Sequence, residues 1–194
     1  MNPDTATIGR PDEVLRFWFG EPPGKRRKAW FEKNPAFDAD MRTRFLRLHS
    51  RAVCGELKDW TETRLGALAL IVLTDQFSRN MFRGTPHAFA SDALALATAR
   101  QLLAAGSDAQ MRPVERQFAY LPFEHSEALA DQERALTLFA PLGAHVETAD
   151  TPEYARRHWE NVKRFGRFPH RNAILDRVST PEEIEFLTQP GSGF

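Results

Sequence analysis

The sequence predicts an all-α protein, and three observations carry that reading. Alanine (25) and leucine (19) dominate, while valine (7) and isoleucine (4) are scarce. Helices favour the first pair and strands favour β-branched residues. No stretch sustains a period of two, whereas several repeat apolar residues at helical spacing. Helix punctuation also recurs, with Thr-Pro at 85–86, 151–152 and 180–181 and glycines behind apolar-periodic runs.

Residues 11–19 read as a short helix, with Pro11 in its first turn and Gly20 after it. "EPPGKRRK" (21–28) is a loop. Residues 36–54 form an amphipathic helix on Met41, Phe45, Leu48 and Ala52, stopped by Gly55. Residues 62–82 form a buried helix capped by Thr61. The next helix starts with Thr85 as N-cap and Pro86 at its first position and runs to Gly106; its alanines permit close helix–helix approach. Another follows Pro113 and meets Pro122, where the missing N–H and the ring clash end or kink it. Residues 123–140 continue as helix to Pro141. "TPEY" (151–154) starts one more, and "STPEE" (179–183) a last one with a Thr180–Glu183 capping box. That makes about eight helices. Short connections, except 141–150, suggest stacked antiparallel helices or an irregular bundle. One domain is expected over 1–194, with a flexible N-terminus (1–10) and a C-terminal tail (188–194).

Composition bounds the function. Lys+Arg and Asp+Glu are both 26, so no global field favours nucleic acid or an anionic membrane. A single cysteine, Cys54, excludes intrachain disulfides and thiolate metal sites. The sequence holds no paired Glu-x-x-His, H-E-x-x-H, G-x-S-x-G or Gly-rich phosphate loop, so no metal or cofactor is expected. No apolar leader is visible, and "LGALALIVL" falls far short of the ~20 residues that span a bilayer. A cytoplasmic protein is expected. Charge is nevertheless segregated: residues 16–51 hold ten basic and four acidic residues, residues 121–153 one basic and seven acidic. These regions either cancel across the surface or leave a basic patch at "GKRRK" for an anionic partner.

Four stretches could carry chemistry. In "LIVLTDQFSRNMFRG" (70–84), a turn of 100° per residue puts Arg79 about 40°, Arg83 about 80°, Gln76 about 100° and Asn80 about 140° from Asp75. All five share one side, which Leu68, Ala69 and Val72 make apolar one turn earlier. Such a helix either surfaces into water with an ordinary ion pair or lines a polar pocket. In "YLPFEHSEALADQ" (120–132), His125, Leu129, Gln132, Leu136 and Phe139 fall on one stripe facing the core. Glu124, Glu127 and Asp131 fall on another. His125 is then a satisfied core histidine or a pocket-facing acid/base. His158 is a second core-facing histidine, on "PEYARRHWENVKRF". In "RFGRFPHRN" (164–172), Arg164, Arg167, His170, Arg171 and Asn172 crowd donors into a loop pinned by Phe165 and Phe168. That loop suits a carboxylate or phosphate, or docks onto the acidic stripe.

The blocks "VLRFWFGE", "LIVLTDQFSRNMFRGTPHAFASDALAL", "YLPFEHSE" and "HWENVKRFGRFPHRNAIL" resemble, in order, the bacterial family known as domain of unknown function 924, over about residues 11–187. The resemblance implies a tetratricopeptide-like stack of antiparallel helices. It carries over no catalytic residues. Ser78 stands where proline is expected, which leaves the 62–82 helix free to continue past Asp75. His87 stands where arginine is expected. The 34-residue tetratricopeptide period itself is not visible.

The leading expectation is a pocket for a small polar or anionic molecule, walled by the Asp75–Arg83 stripe, His125 and the 167–172 loop. His125, His170 and Asp75 are the candidate proton-moving groups. Arg79, Asn80, Arg83, Glu127, Arg167, Arg171 and Asn172 are the candidate ligand-binding groups. The rival is a helical scaffold for a protein partner, with the polar clusters as internal struts. Nucleic-acid binding through Lys25–Lys28 comes third.

Overall fold

A computed structural model of the chain describes residues 9–21 and 23–193. Among these residues there are nine α-helices, several 3-10 turns and no strand. The expectation for residues 1–10 falls mostly on residues 1–8, outside the described residues. The helices are α1 (Pro11–Phe19), α2 (Pro35–Val53), α3 (Arg64–Thr74), α4 (Gln76–Met81), α5 (Asp92–Ala104), α6 (Pro113–Glu124), α7 (Leu129–Phe139), α8 (Thr151–Phe165) and α9 (Pro181–Leu187). None is long and apolar enough to cross a membrane.

The central helix is α3, buried from Gly66 to Thr74 and packed against α1, α2, α5 and α6. Its N-cap is Thr63, whose hydroxyl accepts from Gly66 N–H at 3.1 Å. Thr61, the expected cap, instead donates to the Lys58 carbonyl inside a 3-10 turn over Lys58–Glu62. Gly66 fits there because a β-carbon would come 2.2 Å from the Trp60 carbonyl oxygen. Beside α3, helix α5 buries Ala95, Ala99, Thr98 and Leu102. It starts at Asp92, not Thr85; Pro86–Ala88 is a separate 3-10 turn.

Two predicted helices are broken. The 62–82 helix divides at Asp75, although Ser78 would have let it continue. Where the ladder is interrupted, the Thr74 carbonyl accepts the Ser91 hydroxyl at 2.5 Å. A side chain inserted into the ladder is a recognised cause of a kink. Ser91 Oγ lies 2.7 Å from Ser78 Oγ, which lies 2.6 Å from His49 Nε2, all buried. Ser91 spends its hydrogen on Thr74, so Ser78 must donate to Ser91 and His49 Nε2–H to Ser78. Burial holds the His49 pKa below the ordinary histidine value, so this donor is neutral.

The second break replaces the predicted 123–140 helix. Pro122 is accommodated in the last turn of α6, which runs on to Glu124 with His125 as C-cap. The chain then turns over 126–128 before α7. Gln132 holds that turn: fully buried, its Nε2 donates to the Glu124 and Ser126 carbonyls, both at 2.6 Å. The expected continuous stripe therefore does not exist, and Leu129 is 43% exposed.

Aromatic packing joins the N-terminal third to α6. Trp18 meets Phe118 edge-on at 5.3 Å and Trp30 meets Phe118 at 4.8 Å. Arg27 donates to the Phe17 and Trp18 carbonyls at 2.7 and 2.6 Å, closing the C-terminus of α1. Arg26 pairs with Asp150 at 2.5 Å, so the basic and acidic regions of the sequence meet at that point. The loop ahead of α2 is thereby held across α6 and beside α8.

Candidate functional site

The break at Asp75 builds the site. Ending α3 there lets a carboxylate sit at 0% exposure on the junction, facing the C-terminus of α6. His125 Nδ1 lies 2.7 Å from Asp75 Oδ1, Arg79 Nη1 lies 3.0 Å from the same oxygen, and Gln76 Nε2 donates to Oδ2 at 2.6 Å. Burial by itself would raise the Asp75 pKa; the charge of Arg79 and the contact with His125 more than offset it and hold the carboxylate far below its ordinary value. An ionised carboxylate only accepts, so His125 carries its proton on Nδ1. Burial, then the nearby Arg79, lower the His125 pKa. His125 is thus a neutral imidazole, fixed in one tautomer, with Nε2 as a base. This orienting contact is the one a buried aspartate supplies in acid/base dyads.

Arg79 also grips Asp92 with two hydrogen bonds, at 2.9 and 3.1 Å. Its charge is compensated by two carboxylates, so it ties α4 to α5 and steadies Asp75. Arg171 lies 3.7 Å from Asp92 and stacks on Phe89 and Phe168 at 4.8 and 4.5 Å. Burial, then repulsion from Arg79, lower the Arg171 pKa to about 10. Asp75, Asp92, Arg79 and Arg171 form a neutral quartet behind the imidazole.

In front of His125 lies a cleft of about 550 Å³. Its buried floor includes Gln117, Phe118, Glu124, Phe139 and His158, with His125 beside them. Its exposed lip carries Arg26, Lys33 and Arg83, together with Phe31 and Tyr154. Glu124 is 3% exposed; its Oε1 lies 3.1 Å from His158 Nδ1, which also lies 2.9 Å from the Tyr154 carbonyl. A carbonyl only accepts, so His158 Nδ1 bears hydrogen and donates to Tyr154, with the Glu124 oxygen beside it. Burial, then the charge of Asp75, push the Glu124 pKa up to about 8, so at neutral pH it is mostly a carboxylic acid. Burial, followed by His125, pushes His158 well below the ordinary histidine value.

The expected residues divide into two groups. Gln76, Arg79, Asn80, Arg83 and His125 do line one cleft, with Asp75 directly behind His125. Asn80 and Arg83 turn toward α2, donating to Asp38 at 2.7 and 3.0 Å. The 167–172 loop does not form a wall of this cleft, because its donors are spent elsewhere. Arg167 grips Glu183 at 2.6 and 2.7 Å, and Asn172 donates to Ser179 at 3.0 Å. Glu127 accepts from Phe168 N–H at 2.8 Å and from Arg177 at 2.7 and 3.0 Å. The loop therefore docks onto an acidic side chain of the 126–128 turn. His170 packs on Phe168 in that loop; burial, then Arg171, lower its pKa to about 4. Asp92, Asp38, Glu124, Gln117 and Lys33 were not among the candidates. The partners of Asp92, Asp38 and Glu124 lie many residues away, and only the acid–histidine succession at 124–125 hinted at one of the five.

The sequence profile described as a bacterial protein of unknown function (DUF924) matches residues 14–191. A solved structure of a protein of unknown function from Agrobacterium tumefaciens is similar to the chain. It shares 42% identity and a TM-score of 0.82, covering 91% of this chain and 96% of that one. Comparison with curated proteins gives no match.

Proposed function

The chain belongs to the DUF924 family of bacterial proteins of unknown function, which offers no reaction to inherit, and we propose from its own geometry that the cleft in front of His125 binds a small anionic molecule and performs acid/base chemistry on it. The observation that carries this reading is the Asp75–His125 pair. A fully buried carboxylate fixes the imidazole at 2.7 Å, and the imidazole lines a cleft of ligand size. A core histidine that merely fills space has no need of a buried ion to orient it.

The lip sets the ligand's charge. Arg26, Lys33 and Arg83 stand on it against Glu32 and Asp150, which favours a carboxylate or phosphate group there. The floor and wall contribute Phe118, Phe139 and Trp30, which suit an apolar body. His125 Nε2, a neutral base at pH 7, takes or returns a proton beside that body. Asp75 is a positioning residue that acts through His125.

The test is a panel of small carboxylates and phosphates, followed by calorimetry and protein-observed NMR. Binding in the cleft is expected, weakened at least tenfold by the double replacement Lys33→Gln and Arg83→Gln. No binding by any panel member, or binding unchanged in the double variant, overturns the reading.

A further inference from the structure

Two buried side-chain oxygens on the cleft floor have no hydrogen-bond partner among the described residues: Glu124 Oε2 and the Gln117 side-chain oxygen. Both side chains are more than nine-tenths buried, at 3% and 4% exposure, and both line the cleft. They sit seven residues apart on α6, and two turns of helix bring such positions back to one face about 10 Å apart. Phe118 and Leu121 line the cleft between them. A buried polar atom without a partner costs about 1–3 kcal/mol; the Gln117 oxygen can only accept, and Glu124 only accepts once it has lost its proton, so a ligand that supplies N–H groups and a positive charge satisfies both.

We infer that the ligand is a small zwitterion whose amino group seats on the floor against Glu124 and Gln117 and whose carboxylate or phosphate meets the basic lip. This rests on the proposed reading of the cleft as an anion site and adds the second half of the ligand. An ammonium group suits the floor better than a hydroxyl, because it presents three donors and a charge. The groups facing Glu124 are His158 from α8, His125 beside it and Asp75 across the helix junction. Neither histidine is charged at pH 7, so no resident cation competes for the carboxylate. When the ammonium arrives, the Glu124 carboxylic acid gives up its proton to buffer and the ammonium keeps all of its own. Binding therefore releases a proton. A ligand with only an anion does not contact Glu124 and releases none.

The experiment is isothermal titration at pH 7 in two buffers of different ionisation enthalpy. The probes are linear amino carboxylates from glycine to 8-aminooctanoate, each matched with its unsubstituted carboxylate and its alkylamine. The expected result is one chain length that binds at least tenfold tighter than both of its matched probes and releases close to one proton. In Glu124→Gln the release disappears and the preference over the plain carboxylate falls to threefold or less. Gln117→Leu, which leaves Glu124 in place, weakens the amino carboxylate while proton release persists. Equal binding of amino and plain carboxylates, or binding without proton release, overturns the inference and leaves the anion site standing. Failure of every carboxylate here, together with failure of every phosphate in the panel above, overturns both.

Discussion

Replacing Asp75 with asparagine removes the buried charge at the helix junction and keeps its shape. The carboxylate contacts His125 Nδ1 at 2.7 Å, Arg79 Nη1 at 3.0 Å and Gln76 Nε2 at 2.6 Å, with no solvent exposure. Removing one member of a buried pair costs about 3–5 kcal/mol. The lower end applies here, because Arg79 keeps two hydrogen bonds to Asp92 and an amide oxygen still accepts from His125. The expected loss is about 3 kcal/mol, or about 6–12 °C in Tm at about 2–4 °C per kcal/mol for a chain of this length. The sign with pH follows from the direction of the shift. The folded Asp75 pKa lies below the unfolded value of about 3.9, so its stabilisation is complete above that value and is lost as pH falls through the folded one. The difference between the two proteins is therefore full at pH 7 and shrinks only in acid. Urea unfolding at pH 7, with Tm by calorimetry, measures it. A loss below about 1 kcal/mol would refute the claim that the charge of Asp75 holds α3, α4 and α6 together.

Further expectations concern the other buried polar groups. Folding raises the Glu124 pKa from about 4.3 to about 8, so wild type loses stability as pH rises between those values. Glu124→Gln lacks that dependence; between pH 5.5 and 7 its stability relative to wild type should rise by on the order of 2 kcal/mol in urea melts, at about 1.4 kcal/mol per pH unit, and a flat difference contradicts the assignment. Ser78→Ala strands the His49 Nε2–H donor in the core and should cost about 1–3 kcal/mol; an unchanged urea midpoint argues against the His49–Ser78–Ser91–Thr74 chain. Gln132→Leu removes the donor that holds the 126–128 turn and should cost a similar amount, with faster amide exchange at 125–128. Arg83→Gln touches an exposed pair with Asp38 and should change stability by less than about 1 kcal/mol while weakening anion binding.

The fold was legible because it is written in local signals. Pro11 with Gly20, Gly166, and the Thr180–Glu183 box mark helix ends through their own backbone chemistry, and the structure has them as read. The two broken helices were not legible, because their causes are distant residues. Nothing near Asp75 announces that Ser91, sixteen residues later, donates to the carbonyl beside it, and nothing near Pro122 announces that Gln132 will gather the carbonyls after it. The division at Asp75 accounts for nine helices among the described residues where about eight were expected.

The candidate site was legible by half for the same reason. Helical geometry put Asp75, Gln76, Arg79, Asn80 and Arg83 on one side, and the core-facing stripe singled out His125. It gave no distances between elements. The Arg167–Asn172 loop looked like an anion cradle by its density of donors, yet Glu183, Glu127 and Ser179 take those donors. Donor density in a sequence cannot say whether a partner is a ligand or the next turn of chain. Glu124 was visible only as one of three acids, and its difference from Glu127 and Asp131 lies in its partner: those two meet Arg177 and Arg100, whereas Glu124 meets a neutral histidine.

The most direct measurement is the nitrogen spectrum of the His125 ring at pH 7, with and without a small carboxylate or phosphate that binds. The expected spectrum shows a neutral ring protonated on Nδ1, an Nε2 resonance that moves when the ligand is added, and a His49 ring, protonated on Nε2, that does not. A His125 ring protonated on Nε2, or one whose Nε2 resonance stays still while the ligand binds, would contradict the claim that Asp75 aims this imidazole into a binding cleft.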